Sequence, residues 1–85
     1  MSWIVIIAGR AKKEIKKLPQ KDSERVEVIL KEIESNPYSR DIEKIQGEKY
    51  TWRKRVGNYR IIYDIYKDRH LVVVHRIERR TSTTY

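Results

Sequence analysis

The sequence contains no cysteine. That absence excludes disulfides, thiolate nucleophiles and cysteine-based zinc sites. Only two histidines, His70 and His75, are present, which argues against a metal centre. Phenylalanine is missing too, so the aromatic content rests on six tyrosines and two tryptophans. Long apolar runs are lacking. The longest is Ile4–Ala8, far short of the ~20 residues a membrane span needs. No charged segment precedes it and no small-residue cleavage site follows it, which argues against a signal peptide. The expectation is a cytoplasmic chain with no membrane partner and no cofactor.

What is present is positive charge. Twenty Lys and Arg face twelve Asp and Glu, a net of +8. Such an excess points to a polyanionic partner, either nucleic acid or an acidic protein segment. The charge is unevenly spread. Residues 10–36 mix both signs, as a solvated helical face does. Residues 49–63 carry Lys49, Arg53, Lys54, Arg55 and Arg60 with no acid. More than half of the net charge therefore sits in fifteen residues. The apolar share of 39% is low but adequate for a folded core. A chain of 85 residues makes one domain at most.

The apolar pattern orders the elements. Trp3–Ile7 is aromatic and β-branched and reads as a strand buried on both faces. Ala11, Ile15 and Leu18 repeat at helical spacing after Gly9, a weak N-cap, and Pro19 stops that helix. Val26, Ile29, Leu30 and Ile33 mark a second amphipathic helix, capped by Asp22 or Ser23 and ended by Asn36-Pro37. Tyr50–Val56, Tyr59–Tyr66 and Leu71–Ile77 read as three strands, with turns at Gly57-Asn58 and at residues 67–70. The fold class is α+β: an N-terminal strand, a helical hairpin, then a three- to four-stranded antiparallel meander with the helices packed on one sheet face.

The turn sets a register. A two-residue loop pairs Val56 with Tyr59, Arg55 with Arg60, Lys54 with Ile61, Arg53 with Ile62 and Trp52 with Tyr63. Alternation then puts Trp52, Val56, Tyr59, Ile61, Tyr63 and Ile65 on the helix side, with Lys54 their one charged member. Arg53, Arg55 and Arg60 fall on the other side. Like charges opposed across a sheet cost stability, and breaches of a local rule concentrate at functional sites. Arginine suits planar phosphate contact. Charge placed only to keep a sheet face wet and unaggregated is the alternative.

Other candidates are individually ambiguous. His75 can serve as acid or base, or sit half-buried in its strand. Glu48 can serve as a base, or stay a solvated loop residue. Lys54 reads as core by parity and as rim by chemistry, which suits snorkelling. Lys49, Lys54, Arg76 and Arg79 are candidate nucleic-acid contacts, and Arg79 and Arg80 can close over the basic face. Tyr85 can stack on a base.

The stretch Tyr50-Thr-Trp-Arg-Lys-Arg-Val-Gly-Asn-Tyr-Arg-Ile-Ile-Tyr63 resembles the strand–turn–strand signature of the RelE/ParE toxin superfamily, within its RelE-like branch. Lys17-Leu18-Pro19, Ile45-Gln-Gly47 and a basic tail ending in tyrosine add to the likeness. The resemblance implies a single RelE-like toxin domain over residues 1–85, with the RelE-like microbial ribonuclease fold. It implies the toxin of a toxin–antitoxin pair, partnered by an acidic antitoxin, the ribosome and mRNA. The implied activity is metal-independent endoribonuclease cleavage by 2′-OH attack on the adjacent phosphate.

By the same resemblance Arg60 stabilises the phosphate. Arg53 and Arg55 match basic positions on the preceding strand. Arg80, or Arg79, matches the basic residue after the last strand, and Tyr85 matches the tail tyrosine that stacks on the substrate base. One of the preceding-strand positions is lysine-like in some relatives and is discussed there as a proton acceptor. Arginine is a poor base, so the proton acceptor stays open. A ParE-like gyrase poison and a module that only binds RNA or an acidic peptide are the alternatives.

Overall fold

A computed structural model of the chain describes residues 2–39 and 41–79. Strand β1 (Ile4–Ile7) leads into helices α1 (Gly9–Lys16) and α2 (Gln20–Ser35). Strands β2 (Ile42–Lys44), β3 (Thr51–Val56), β4 (Tyr59–Tyr66) and β5 (Leu71–Arg79) follow, with a 3-10 turn over Lys67–Arg69 before the last. The sheet order is β1-β5-β4-β3-β2. Strands β2 to β5 form an antiparallel meander, and β1 joins its β5 edge in parallel.

Both helices lie on one sheet face because their apolar stripes need cover. Ala11, Val26, Leu30 and Ile33 meet Val56, Tyr59, Ile61, Tyr63, Ile65, Val72, Val74 and Ile77 there. Each fully buried aliphatic side chain of this set contributes about 1.5–3 kcal/mol. Tyr63 is wholly buried, and its hydroxyl donates to the carbonyl of Pro37 at 2.9 Å. Burial pushes that hydroxyl far above the usual tyrosine range. The pairing expected from the turn is the pairing observed, from Val56–Tyr59 out to Trp52–Tyr63.

Several local expectations need correction. Strand β1 is not covered on both faces. It is an edge strand, and Ile4 and Ile6 are 61% and 50% exposed because the helices back only one side of the sheet. Helix α1 begins at Gly9 with Ala8 as its cap. Helix α2 starts directly after Pro19, whose carbonyl accepts the Ser23 N–H at 2.9 Å. Proline has no N–H of its own to leave unpaired there. Asp22 is not the cap but a first-turn residue, and its carboxylate accepts the Tyr59 hydroxyl at 2.8 Å. Strand β2 was not foreseen. Strand β5 runs two residues beyond Ile77, to Arg79.

Candidate nucleic-acid interface

The uncovered sheet face carries the basic residues. Its geometry begins at Gly57, whose φ of +57° is a conformation glycine adopts freely. Asn58 has no positive φ among the described residues, so the turn is of the II′ kind, with glycine in its first central position. That turn sets Arg55 directly opposite Arg60 and Arg53 opposite Ile62.

Strand β5 completes the face through a β-bulge. Tyr63 pairs with Val74 but Ile62 pairs with Arg76, which leaves His75 as the extra residue. The inward set is accordingly Val72, Val74 and Ile77, with a step of three where two is normal. His75 and Arg76 are both half-buried on the outer side. Bulges of this kind re-aim side chains beside functional sites.

An open cleft of about 530 Å³ lies between the strands. Arg53, Arg60, Arg76 and Lys44 line it, with Glu43, Glu78, Ile45, Gln46 and Ile62. Four cations thus face two carboxylates. Arg53 pairs with Glu43 at 3.1 Å, Arg60 with Glu78 at 3.8 Å and Arg76 with Glu78 at 2.7 Å. The acids missing from residues 49–63 come from the flanking strands. Exposed pairs of this kind are worth about 0–1 kcal/mol, so they order the arginines more than they stabilise the fold. The Nε atoms of Arg60 and Arg76 are buried without a hydrogen-bond partner among the described residues. A buried donor with no acceptor is costly and calls for an explanation. Arg76 Nε lies 3.9 Å from the Glu14 carboxylate, beyond hydrogen-bond reach.

Beside the cleft, on the same face, is a hydrogen-bonded carboxylate. Asp64 accepts from the Thr51 hydroxyl at 2.7 Å and the Tyr66 hydroxyl at 2.9 Å, and lies 2.7 Å from His75 Nε2. Burial pushes its carboxyl up, but the hydrogen bonds from Thr51, His75 and Tyr66 outweigh that and hold it below the usual range. The same contact raises Tyr66, whose hydroxyl donates to the anion. The Tyr66 ring lies 5.0 Å from that of Tyr50, and Lys49 Nζ stands 5.5 Å over the Tyr50 ring.

Of the residues singled out from sequence, Arg53, Arg60 and Arg76 meet in the cleft. Arg55 is on the same face, exposed, in a shallower hollow with Asp41, Ile42, Glu43 and Arg53. Lys54 does not belong to the interface. It is 4% exposed on the helix side, where Nζ donates to Ser39 Oγ at 3.0 Å, so parity and not chemistry decides its place. Arg79 does not close over the basic face. The bulge has reset its parity, and it sits with Tyr59, Ile77, Glu14 and Pro19 on the helix side. Glu48 and Lys49 are exposed in the loop before β3 and do not line the cleft. Arg80 and Tyr85 lie outside the described residues. Sequence reasoning missed Glu43 and Lys44, Glu78, and the Asp64 cluster. Glu78 was legible as the residue beyond an inward Ile77; the others needed the β2 pairing and the bulge.

The chain is thus a small basic protein whose helix-backed mixed sheet holds an arginine cleft on its open face. The profile described as the ParE toxin of the type II toxin–antitoxin system, parDE, matches residues 5–83, and the chain belongs to that family. Within it the chain is RelE-like. It is 32% identical over 82 residues to Toxin RelE3 of Methanocaldococcus jannaschii, spanning 92% of this chain and 91% of that protein. The fold matches the crystal structure of an archaeal RelE–RelB complex from Pyrococcus horikoshii OT3, with a TM-score of 0.86 at 24% identity, over 98% of this chain and all of the other. It also matches the toxin–antitoxin complex RelBE2 of Mycobacterium tuberculosis, with a TM-score of 0.80 at 26% identity, over 94% of this chain and 100% of the other. No helix among the described residues is long and apolar enough to cross a membrane.

Proposed function

We propose that this toxin is an endoribonuclease that cuts mRNA on the ribosome and so stops translation. In the reaction, the ribose 2′-oxygen attacks the adjacent phosphorus and the bond to the 5′-oxygen breaks. A 2′,3′-cyclic phosphate and a 5′-hydroxyl result. Charge gathers on the phosphate oxygens as the transition state forms. Preorganised cations held in the cleft favour that charge more than bulk water does. Arg60 and Arg76 are the phosphate-binding pair, with Arg53 and Arg55 guiding the strand along the sheet face. The observation that supports this reading is the cleft in which Arg53, Arg60, Arg76 and Lys44 outnumber Glu43 and Glu78.

The antitoxin of this pair, on the same reading, is an acidic segment that folds over the cleft and neutralises it. Similar folds have been solved as a RelE–RelB complex and as the toxin–antitoxin complex RelBE2. Primer extension on an mRNA under translation tests the activity. Discrete cuts that need ribosomes and vanish with Arg60→Ala are expected. Uncut message with the wild-type protein overturns the reading.

A second reading is inhibition of DNA gyrase, favoured by the match to the ParE profile over residues 5–83. It predicts gyrase-dependent DNA cleavage with intact message. The two assays together separate the readings. A protein silent in both is left as a binding module for RNA or acidic peptides.

A further inference from the structure

We infer that His75, held by Asp64, is the group that takes the proton from the attacking 2′-hydroxyl. The inference rests on the ribonuclease reading above, and it addresses what the arginines cannot do. Guanidinium groups stay protonated and accept no proton. Among the carboxylates of the cleft, Glu78 is bridged between Arg76 at 2.7 Å and Arg60 at 3.8 Å. Glu43 sits at the rim, 63% exposed and paired with Arg53.

His75 is placed differently. It is the additional residue of the β5 bulge, which brings its neighbour Arg76 onto the same outer face beside it. Its ring is 44% exposed, while the Asp64 carboxylate behind it is 13% exposed. Asp64 is ionised and can only accept hydrogen bonds. The hydrogen in the 2.7 Å contact is therefore on His75 Nε2. In the neutral ring the lone pair is then on Nδ1, which has no partner among the described residues. Thr51 and Tyr66 fix Asp64 from β3 and β4, so the carboxylate that orients the ring is itself oriented. Among the described residues the ring contacts Asp64 on β4, whose same carboxylate oxygen also accepts the Tyr66 hydroxyl.

The step balances. The 2′-hydroxyl proton moves to Nδ1 as the 2′-oxygen bonds to phosphorus. The phosphorus–5′-oxygen bond breaks, and the 5′-oxygen takes a proton from water. The imidazolium, steadied by the Asp64 anion, then returns its proton to solvent. Asp64 is a positioning residue: it sets the tautomer and stabilises the charged ring.

The test is single-turnover cleavage of ribosome-bound mRNA across a range of pH. The proteins are wild type, His75→Ala, Asp64→Asn and Glu78→Gln, each checked by thermal melt and for ribosome binding. His75→Ala is expected to bind as wild type and cut about 10²–10⁴-fold more slowly. Added imidazole should restore part of its rate, which separates lost chemistry from lost fold. Asp64→Asn should slow the chemical step with ribosome binding unchanged, because the ring loses the acceptor that fixes its tautomer. Cutting by His75→Ala at the wild-type rate overturns the inference. So does a profile whose low-pH limb disappears in Glu78→Gln and persists in His75→Ala. A wild-type protein that never cuts overturns the ribonuclease reading, and this inference with it.

Discussion

The carboxylate of Glu14 on α1 accepts the main-chain N–H of Ile77 on β5 at 2.7 Å, across 63 residues of sequence. Strand β1 covers the edge of β5 only as far as Val74. Past that point the edge donors of β5 have no neighbouring strand among the described residues, and a helix side chain takes the strand's place. The same carboxylate lies 3.4 Å from Arg10 and 3.9 Å from Arg76. Glu14→Ala leaves a half-buried N–H unpaired, which costs about 1–3 kcal/mol. Glu14→Gln keeps an acceptor and should lose less. Urea unfolding of the two variants measures the difference.

Gly57 fixes the register on which the arginine face depends. A Cβ there would lie 2.6 Å from Arg25 Nη1, the far end of a flexible side chain that can swing aside. The backbone strain at φ +57° has no such escape. Gly57→Ala should therefore destabilise by about 1–2 kcal/mol. Thermal melts give the size, and an unchanged melting temperature contradicts the strain argument.

Arg60→Ala should leave the fold intact, since the Arg60 side chain lies outside the core set. On single-stranded RNA it removes one phosphate contact and lowers the slope of log affinity against log salt by about 0.7. Lys54→Ala, by contrast, acts on stability and not on that slope, because Lys54 is buried on the helix side. Titrations at several salt concentrations separate the two.

Acid should weaken the protein through Asp64. Its folded carboxyl is held below the ordinary value of 3.8 by hydrogen bonds from Thr51, His75 and Tyr66. Folding therefore favours the ionised form. This part of the stability is complete above the unfolded value and is lost as pH falls through the folded one. Asp64→Asn should melt lower at pH 7, by about 1–3 kcal/mol, and decline less on acidification. Melting curves from pH 7 down to about 2 show whether the two lines converge.

Much of the arginine face was legible because it is local. Gly57-Asn58 sets the hairpin, and alternation does the rest. Strand β2 was not, because Ile42-Glu43-Lys44 is three residues long and mostly polar. Its strand character comes from pairing with Lys54, Arg53 and Trp52, which no local pattern announces. The bulge left a trace. Strict alternation from Val72 and Val74 puts Arg76 in the core, and the charge of Arg76 forbids it. Reading that conflict as an inserted residue places Ile77 inward and Glu78 outward. The partnership of Asp64 with His75 stayed hidden, since it is a diagonal contact that needs the β4–β5 register, Asp64 opposite Val73. The position of β1 at an edge was equally invisible, because a run of apolar residues does not say which face is left open.

The bulge has one more consequence, for how such a protein changes. An ordinary strand shows a given face one side chain in two. At His75 and Arg76, β5 shows the outer face two in succession. Deleting residue 75 outright would give β5 the same count as β4, with Arg76 and Glu78 still outside and Ile77 still inside. The imidazole is thus a detachable part, gained or lost by a single codon without repacking the hydrophobic interior.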